Sequence, residues 1–141
     1  MNGSYYNCTL TGEFQNDGNQ NITLCNIGAI FTIIDFTMDA NIPINITGIN
    51  ITIIRSKFIF DWDQSMTLIA LNGTIDISKT EIYKSSSIVI SSATWGNFQQ
   101  SSYNTDYGII VSGSYFETKT IYLISKNNVL IVGSIIISPE R

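Results

Sequence analysis

The acids best placed for chemistry stand in Asp61-Trp62-Asp63, which closes the run Phe58-Ile59-Phe60. Continued strand alternation would turn Phe58, Phe60 and Trp62 inward and set both carboxylates outward, about 6.7 Å apart. That separation lies within the span glycosidases use for paired carboxylates, and the same oxygens suit Ca²⁺. Acids at a solvated corner before Gln64-Ser65 give the same residues, and that reading is preferred, with no catalytic and no metal residue assigned. The chain has no histidine, so a Ser-His-Asp triad is excluded. Neither cysteine has the spacing of a zinc ligand. Glycine clusters of the phosphate-cradling kind are missing, and an enzyme is not expected.

A second chemistry is covalent attachment of sugar. Six Asn-x-Ser/Thr acceptors occur, at Asn2, Asn7, Asn21, Asn45, Asn50 and Asn72. With 30 hydroxyl residues among 141, chance alone supplies about three. Two acceptors fall within IPINITGINITII (42–54), a run that otherwise reads as buried strand. Period-2 alternation reconciles the two, because Asn45 and Thr47 point one way and Ile44 and Ile46 the other. The same facing holds for Asn50 with Thr52 around Ile51. Cys8 and Cys25 suit one disulfide in an oxidising compartment. The remaining candidate surface is aromatic: Trp95, Phe98, Tyr103 and Tyr107, set among amides and hydroxyls, are suited to stacking on sugar rings or a partner.

The elements that carry these residues are strands. Ile is present 27 times against 6 Leu, 4 Val and 4 Ala, and β-branched Ile is stiff in helices but packs well on a pleated surface. Lys and Arg number seven against eleven acids, a net charge of −4. Without a basic stripe nucleic-acid binding is not expected. The longest apolar tracts, such as Val129-Leu130-Ile131-Val132, fall well short of the roughly 20 residues of a membrane-spanning helix. The start, MNGSYYNCTL, lacks the basic and apolar regions of a secretory signal. The expectation is therefore a mature product, or a section of a longer chain, whose signal lies upstream.

The strand-like bursts repeat. Ala29-Ile30-Phe31-Thr32-Ile33-Ile34 is followed after 20 residues by Ile49-Asn50-Ile51-Thr52-Ile53-Ile54, and after 24 more by Gly73-Thr74-Ile75-Asp76-Ile77-Ser78. After an insertion come Gly108-Ile109-Ile110-Val111-Ser112-Gly113-Ser114 and, 20 residues later, Asn128-Val129-Leu130-Ile131-Val132-Gly133-Ser134. A period of 20–24 residues with short strands fits an all-β solenoid, each coil stacking on the last. The expected fold is a right-handed parallel β-helix of five to six coils, one domain over 1–141, with a side loop at about 93–107. An antiparallel β-sandwich is the alternative.

The bursts ITGINITII, LNGTIDIS, GIIVSGSYF and NNVLIVGSIII resemble the degenerate coils of pectin-lyase-like parallel β-helix proteins. Within that group they look most like large Asn- and Ile-rich surface proteins of ciliates and similar protists. The resemblance covers roughly residues 20–138 and implies a right-handed helix, an extracellular location and often a long chain. It implies no activity, since the catalytic carboxylates and basic residues of pectin-cleaving members have no matching motif.

These readings converge on a secreted or cell-surface structural glycoprotein, a coat or filament subunit that self-associates through open β ends. Its expected partners are copies of itself or further coils of the same chain. It carries N-linked glycans and no cofactor. A carbohydrate-binding adhesin or polysaccharide-cleaving β-helix is the alternative function, and a cytosolic β domain with accidental acceptors a third.

Overall fold

Runs that alternate Ile with Thr, Asn or Ser can bury one edge only if something packs against it, and here the something is the next turn of the same chain. The computed structural model describes residues 7–16, 22–25, 30–40, 42–71, 73–92 and 107–139, with side chains from residue 31 onward except 40. The described residues form strands and no helix. In chain order these are β1 (Asn7–Asn16), β2 (Ile22–Cys25), β3 (Ile30–Ala40), β4 (Ile44–Gly48), β5 (Asn50–Ile54), β6 (Lys57–Ile59) and β7 (Ser65–Ala70). They continue as β8 (Ile75–Ser78), β9 (Glu81–Ser92), β10 (Tyr107–Ser112), β11 (Tyr115–Ser125), β12 (Asn128–Val132) and β13 (Ile135–Ile137).

Every pairing between these strands is parallel, which excludes the antiparallel sandwich. The pairings define three sides. One stacks β1, β3, β5, β8, β10 and β12; the second stacks β1, β3, β6, β9, β11 and β13; the third stacks β2, β4, β7, β9 and β11. Long strands such as β9 and β11 bend round a corner and serve two sides. The fold is a parallel β-solenoid with four complete coils from Ile30 to Ser125, flanked by β1–β2 and by β12–β13. Before these coils β1–β2 pair on all three sides, and after them β12–β13 pair on two, so the coil count differs only slightly from the five to six expected.

The register reproduces the sequence offsets. Ile51 pairs with Phe31, Ile75 with Ile51, Ile109 with Ile75 and Val129 with Ile109. The step from Ile75 to Ile109 contains residues 93–106, which lie outside the described residues, as does the expected side loop apart from Tyr107. Inward columns build the core: Ile33, Ile53, Ile77 and Val111 on the first side, Met38, Phe58, Ile82 and Phe116 on the second, Ile46, Leu68 and Ile90 on the third, all buried.

The corner between the first two sides repeats in every described coil from Asp35 onward. Asp35, Arg55, Lys79, Gly113 and Gly133 are in register and share positive φ of 51°, 47°, 50°, 55° and 58°. A left-handed residue turns the chain sharply, and for the three non-glycine residues it costs about 1–2 kcal/mol each. From Arg55 onward a hydroxyl follows it. Ser56 Oγ accepts the Phe36 N–H at 3.2 Å, Thr80 Oγ1 that of Ser56 at 3.4 Å, Ser114 Oγ that of Thr80 at 3.1 Å, and Ser134 Oγ that of Ser114 at 3.0 Å. Each hydroxyl in turn donates to the carbonyl two residues back, on Ile54, Ser78, Ser112 and Val132. Thr80 and Ser114 are buried, so these bonds satisfy polar groups that no water reaches.

At the corner from the third side to the first, the inward column narrows to Gly48, Ala70, Ser92 and Ser125. A Cβ added at Gly108 would stand 2.1 Å from Ser125 Oγ and 2.9 Å from Ser92 Oγ. Any larger residue there must push both serine hydroxyls aside.

Ser114→Ala should cost about 1–3 kcal/mol, since it leaves the buried Thr80 N–H unmatched, while the Ser112 carbonyl keeps the Lys79 N–H at 2.9 Å. Denaturant unfolding reads this; a change below about 0.5 kcal/mol, the level of ordinary surface substitutions, would mean the ladder carries no stability.

Candidate functional site

Exposed apolar residues gather at one end of the solenoid. Column partners that are fully buried in earlier coils become open in the last: Ile109 is 0% exposed but Val129 38%, Val111 0% but Ile131 42%, and Phe116 1% but Ile136 39%. Outward positions there are apolar as well. Tyr122 and Ile124 on β11, Val132 at the end of β12, and Ile135 and Ile137 on β13 are all exposed. The corresponding outward residues of earlier coils are mostly polar, Thr67 and Ser91 on the third side and Ser78 and Ser112 on the first. Among the described residues nothing covers the inward side chains of the last coil or gives its outward ones a polar coat.

The second side carries a group that sequence inspection missed. Lys57, Glu81 and Tyr115 form one outward column, and Ile59 and Tyr83 the next. The Tyr83 and Tyr115 rings lie 5.3 Å apart between centroids, tilted by 38°. The Lys57 ammonium sits 5.5 Å above the Tyr83 ring, at cation–π distance. Burial, followed by the charge and hydrogen bond of Glu81, raises the Tyr83 phenol above its ordinary pKa. Glu117 Oε1 accepts the Lys84 N–H at 3.1 Å. These residues lie up to 60 positions apart in the chain (57 to 117) and meet only because coils stack in register.

Asp61 and Asp63 do not form the strand pair that continued alternation would give. β6 ends at Ile59, and Trp62 has φ of +67°. Phe58 and Phe60 are buried as expected, but Trp62 is half-buried at a second left-handed corner, held by its N–H to the Lys84 carbonyl. The two-residue strand spacing therefore does not apply, and both aspartates are exposed. Among the described residues no three His, Cys, Asp or Glu side chains cluster.

Asn45 lies mid-strand on β4, half-buried, between the buried Ile44 and Ile46, in register with Thr23 and Thr67. Asn50 opens β5, and its Oδ1 accepts the Thr74 N–H at 2.8 Å. Asn7 is opposite Ile30, as Asn50 is from the other side. Asn2, Asn21 and Asn72 lie outside the described residues, as do Trp95, Phe98 and Tyr103. Tyr107 starts β10, half-buried and opposite Asn128. Cys8 pairs in register with Phe31 on the first side, and Cys25 with Thr47 on the third.

Two carboxylates mark contrasting environments. Arg55 Nε and Nη2 donate to Asp35 Oδ1 and Oδ2 at 2.8 and 3.1 Å, one coil apart, and this exposed fork lowers the Asp35 pKa. Asp76 is raised by desolvation, in an outward column between Thr52 and the buried Ile110.

No helix among the described residues is long and apolar enough to cross a membrane. The fold and its stacked sides define the protein as an all-β parallel solenoid. The chain matches no family model, no curated protein and no solved structure.

Asp76 binds its proton more tightly folded than unfolded, so its ionisation opposes folding at neutral pH. Asp76→Asn should raise the melting temperature at pH 7. The gain should shrink as pH falls through the raised pKa and vanish below the carboxyl's ordinary value of 3.8. Melting curves from pH 7 to pH 3 check this; a gain independent of pH would remove the electrostatic cause.

Proposed function

We propose that this chain is an extracellular structural glycoprotein, a coat or filament subunit that continues end to end with copies of itself or with further coils. The open last coil supports the reading best. Its Val129, Ile131 and Ile136 continue columns that are fully buried elsewhere, and an uncovered solenoid end offers both strand edge and core to a partner. The corner ladder runs to Ser134 with the same left-handed turn, so a further coil bearing Ser or Thr at that place fits it directly. The likeness to Asn- and Ile-rich surface proteins of protists belongs to this reading, as do secretion, N-linked sugar, the Cys8–Cys25 bridge and the lack of any cofactor. No catalytic role is assigned.

A second reading, a carbohydrate-binding adhesin, is favoured by the Tyr83–Tyr115 pair. Aromatic faces flanked by Glu81, Glu117 and Lys57 combine stacking surface with hydrogen-bonding groups on a rigid sheet. Titration with soluble oligosaccharides, followed by tyrosine fluorescence in the wild type and in Tyr115→Ala, separates the two readings.

Assembly is the direct test of the first. Light scattering over a concentration series should show growth into oligomers, and Ile131→Lys with Ile136→Lys should abolish it while circular dichroism keeps its β signature. A stable monomer at all concentrations, with its last coil open to solvent, would overturn the reading.

A further inference from the structure

IPINITGINITII offers two sugar acceptors five residues apart, and the fold treats them differently. Asn45 stands in the outward row of β4, half-buried, beside Thr67 of the next coil and on the same side as its own Thr47. Among the described residues nothing hydrogen-bonds its side chain. Asn50 stands where the chain turns from the third side to the first. Its Oδ1 accepts the Thr74 N–H at 2.8 Å and lies 3.5 Å from the Thr74 hydroxyl. A Cβ placed on Gly73 would be 2.1 Å from that oxygen, 2.8 Å from Asn50 Cγ and 2.4 Å from the Ile49 carbonyl oxygen. The Asn50 carboxamide is therefore laid against the bare Cα of Gly73 and clamps one coil to the next.

We infer that Asn45 is the residue of this pair that carries an N-linked oligosaccharide, and that Asn50 is an internal coil clamp left unmodified in the folded protein. The transfer takes an oligosaccharide from a polyprenyl diphosphate. A bond forms between sugar C1 and the asparagine Nδ2, the C1–O bond to the diphosphate breaks, the diphosphate leaves with the electron pair, and Nδ2 loses one proton. On Asn45 the added sugar projects from the open face of a sheet. On Asn50, half-buried like Asn45, the pyranose would hang from the amide whose oxygen is fixed against Gly73 and the Thr74 N–H, at the joint between two coils. Transfer can precede folding, so this corner acts as a filter: a chain modified at Asn50 cannot close the joint between coils.

The inference rests on the secretory reading only for native material, and the test is built to be independent of it. The chain is expressed behind a signal peptide in a eukaryotic secretory host, and the folded, secreted product is mapped by glycopeptide mass spectrometry. Thr47→Ala removes the Asn45 acceptor without touching its amide, and Thr52→Ala does the same for Asn50. The expected result is loss of one oligosaccharide's mass in Thr47→Ala and no change in Thr52→Ala. In unglycosylated bacterial protein Asn50→Ala should lower the melting temperature by about 3 °C or more, with Asn45→Ala unchanged. A glycan on Asn50 in folded product, or an unmodified Asn45, overturns the inference. Either outcome leaves the assembly test untouched, and failure of assembly leaves the glycan map interpretable.

Discussion

Every coil must turn at the same place if the next is to stack on it, and in this protein the turn is made by one residue and locked by the next. A left-handed residue bends the chain, and the following hydroxyl accepts an N–H from the preceding coil while donating to the carbonyl two residues back. The ladder formed by Ser56, Thr80, Ser114 and Ser134 thus ties successive coils together. The inward residues on either side, Ile53 before the corner and Phe58 after it, owe their common facing to that fixed turn. A slip of one residue would send each to the outer surface.

The same arrangement explains why polar and apolar chemistry can interleave so finely. With period 2, a strand such as Ile44–Gly48 puts Ile44 and Ile46 in the core and Asn45 and Thr47 outside. Stacking then sorts side chains into columns, so residues distant in sequence become neighbours at the strand spacing of about 4.8 Å. Lys57, Glu81 and Tyr115 meet in that way, and so do Asp35 and Arg55. It is also why the last coil is the exception. Its residues obey the same columns, but among the described residues no coil covers them, and isoleucines of the interior kind are exposed.

Much of this was legible beforehand. Offsets of 20, 24 and 20 residues between apolar bursts are register steps observed, because inward positions of a solenoid must align to be buried at all; the step of 34 across the insertion came only from the structure. Gly113-Ser114 and Gly133-Ser134 were visible as a repeated pair. Asp35-Phe36, Arg55-Ser56 and Lys79-Thr80, their equivalents, were not, because left-handed backbone is ordinarily glycine's and a charged residue there gives no local sign. The same blindness explains Trp62: an alternating reading of Phe58 to Asp63 continued a strand through a residue whose φ is positive. The Asn50 clamp was hidden because its partner is backbone, the Thr74 N–H, and backbone leaves no trace in composition. The Tyr83–Tyr115 pair needed the register of coils on either side of a long insertion.

The central claim is that the chain rises one strand spacing per coil in the order of its repeats. Thr32, Thr52, Asp76, Ile110 and Leu130 stand in one outward column. Four steps of about 4.8 Å place Thr32 and Leu130 about 19 Å apart between Cα atoms. Spin labels at these two positions, measured by electron–electron double resonance, should give one narrow distance population consistent with that separation plus the label arms. A broad distribution, or a peak well beyond what the arms add, would contradict the stacked fold and with it the open end on which the proposed assembly rests.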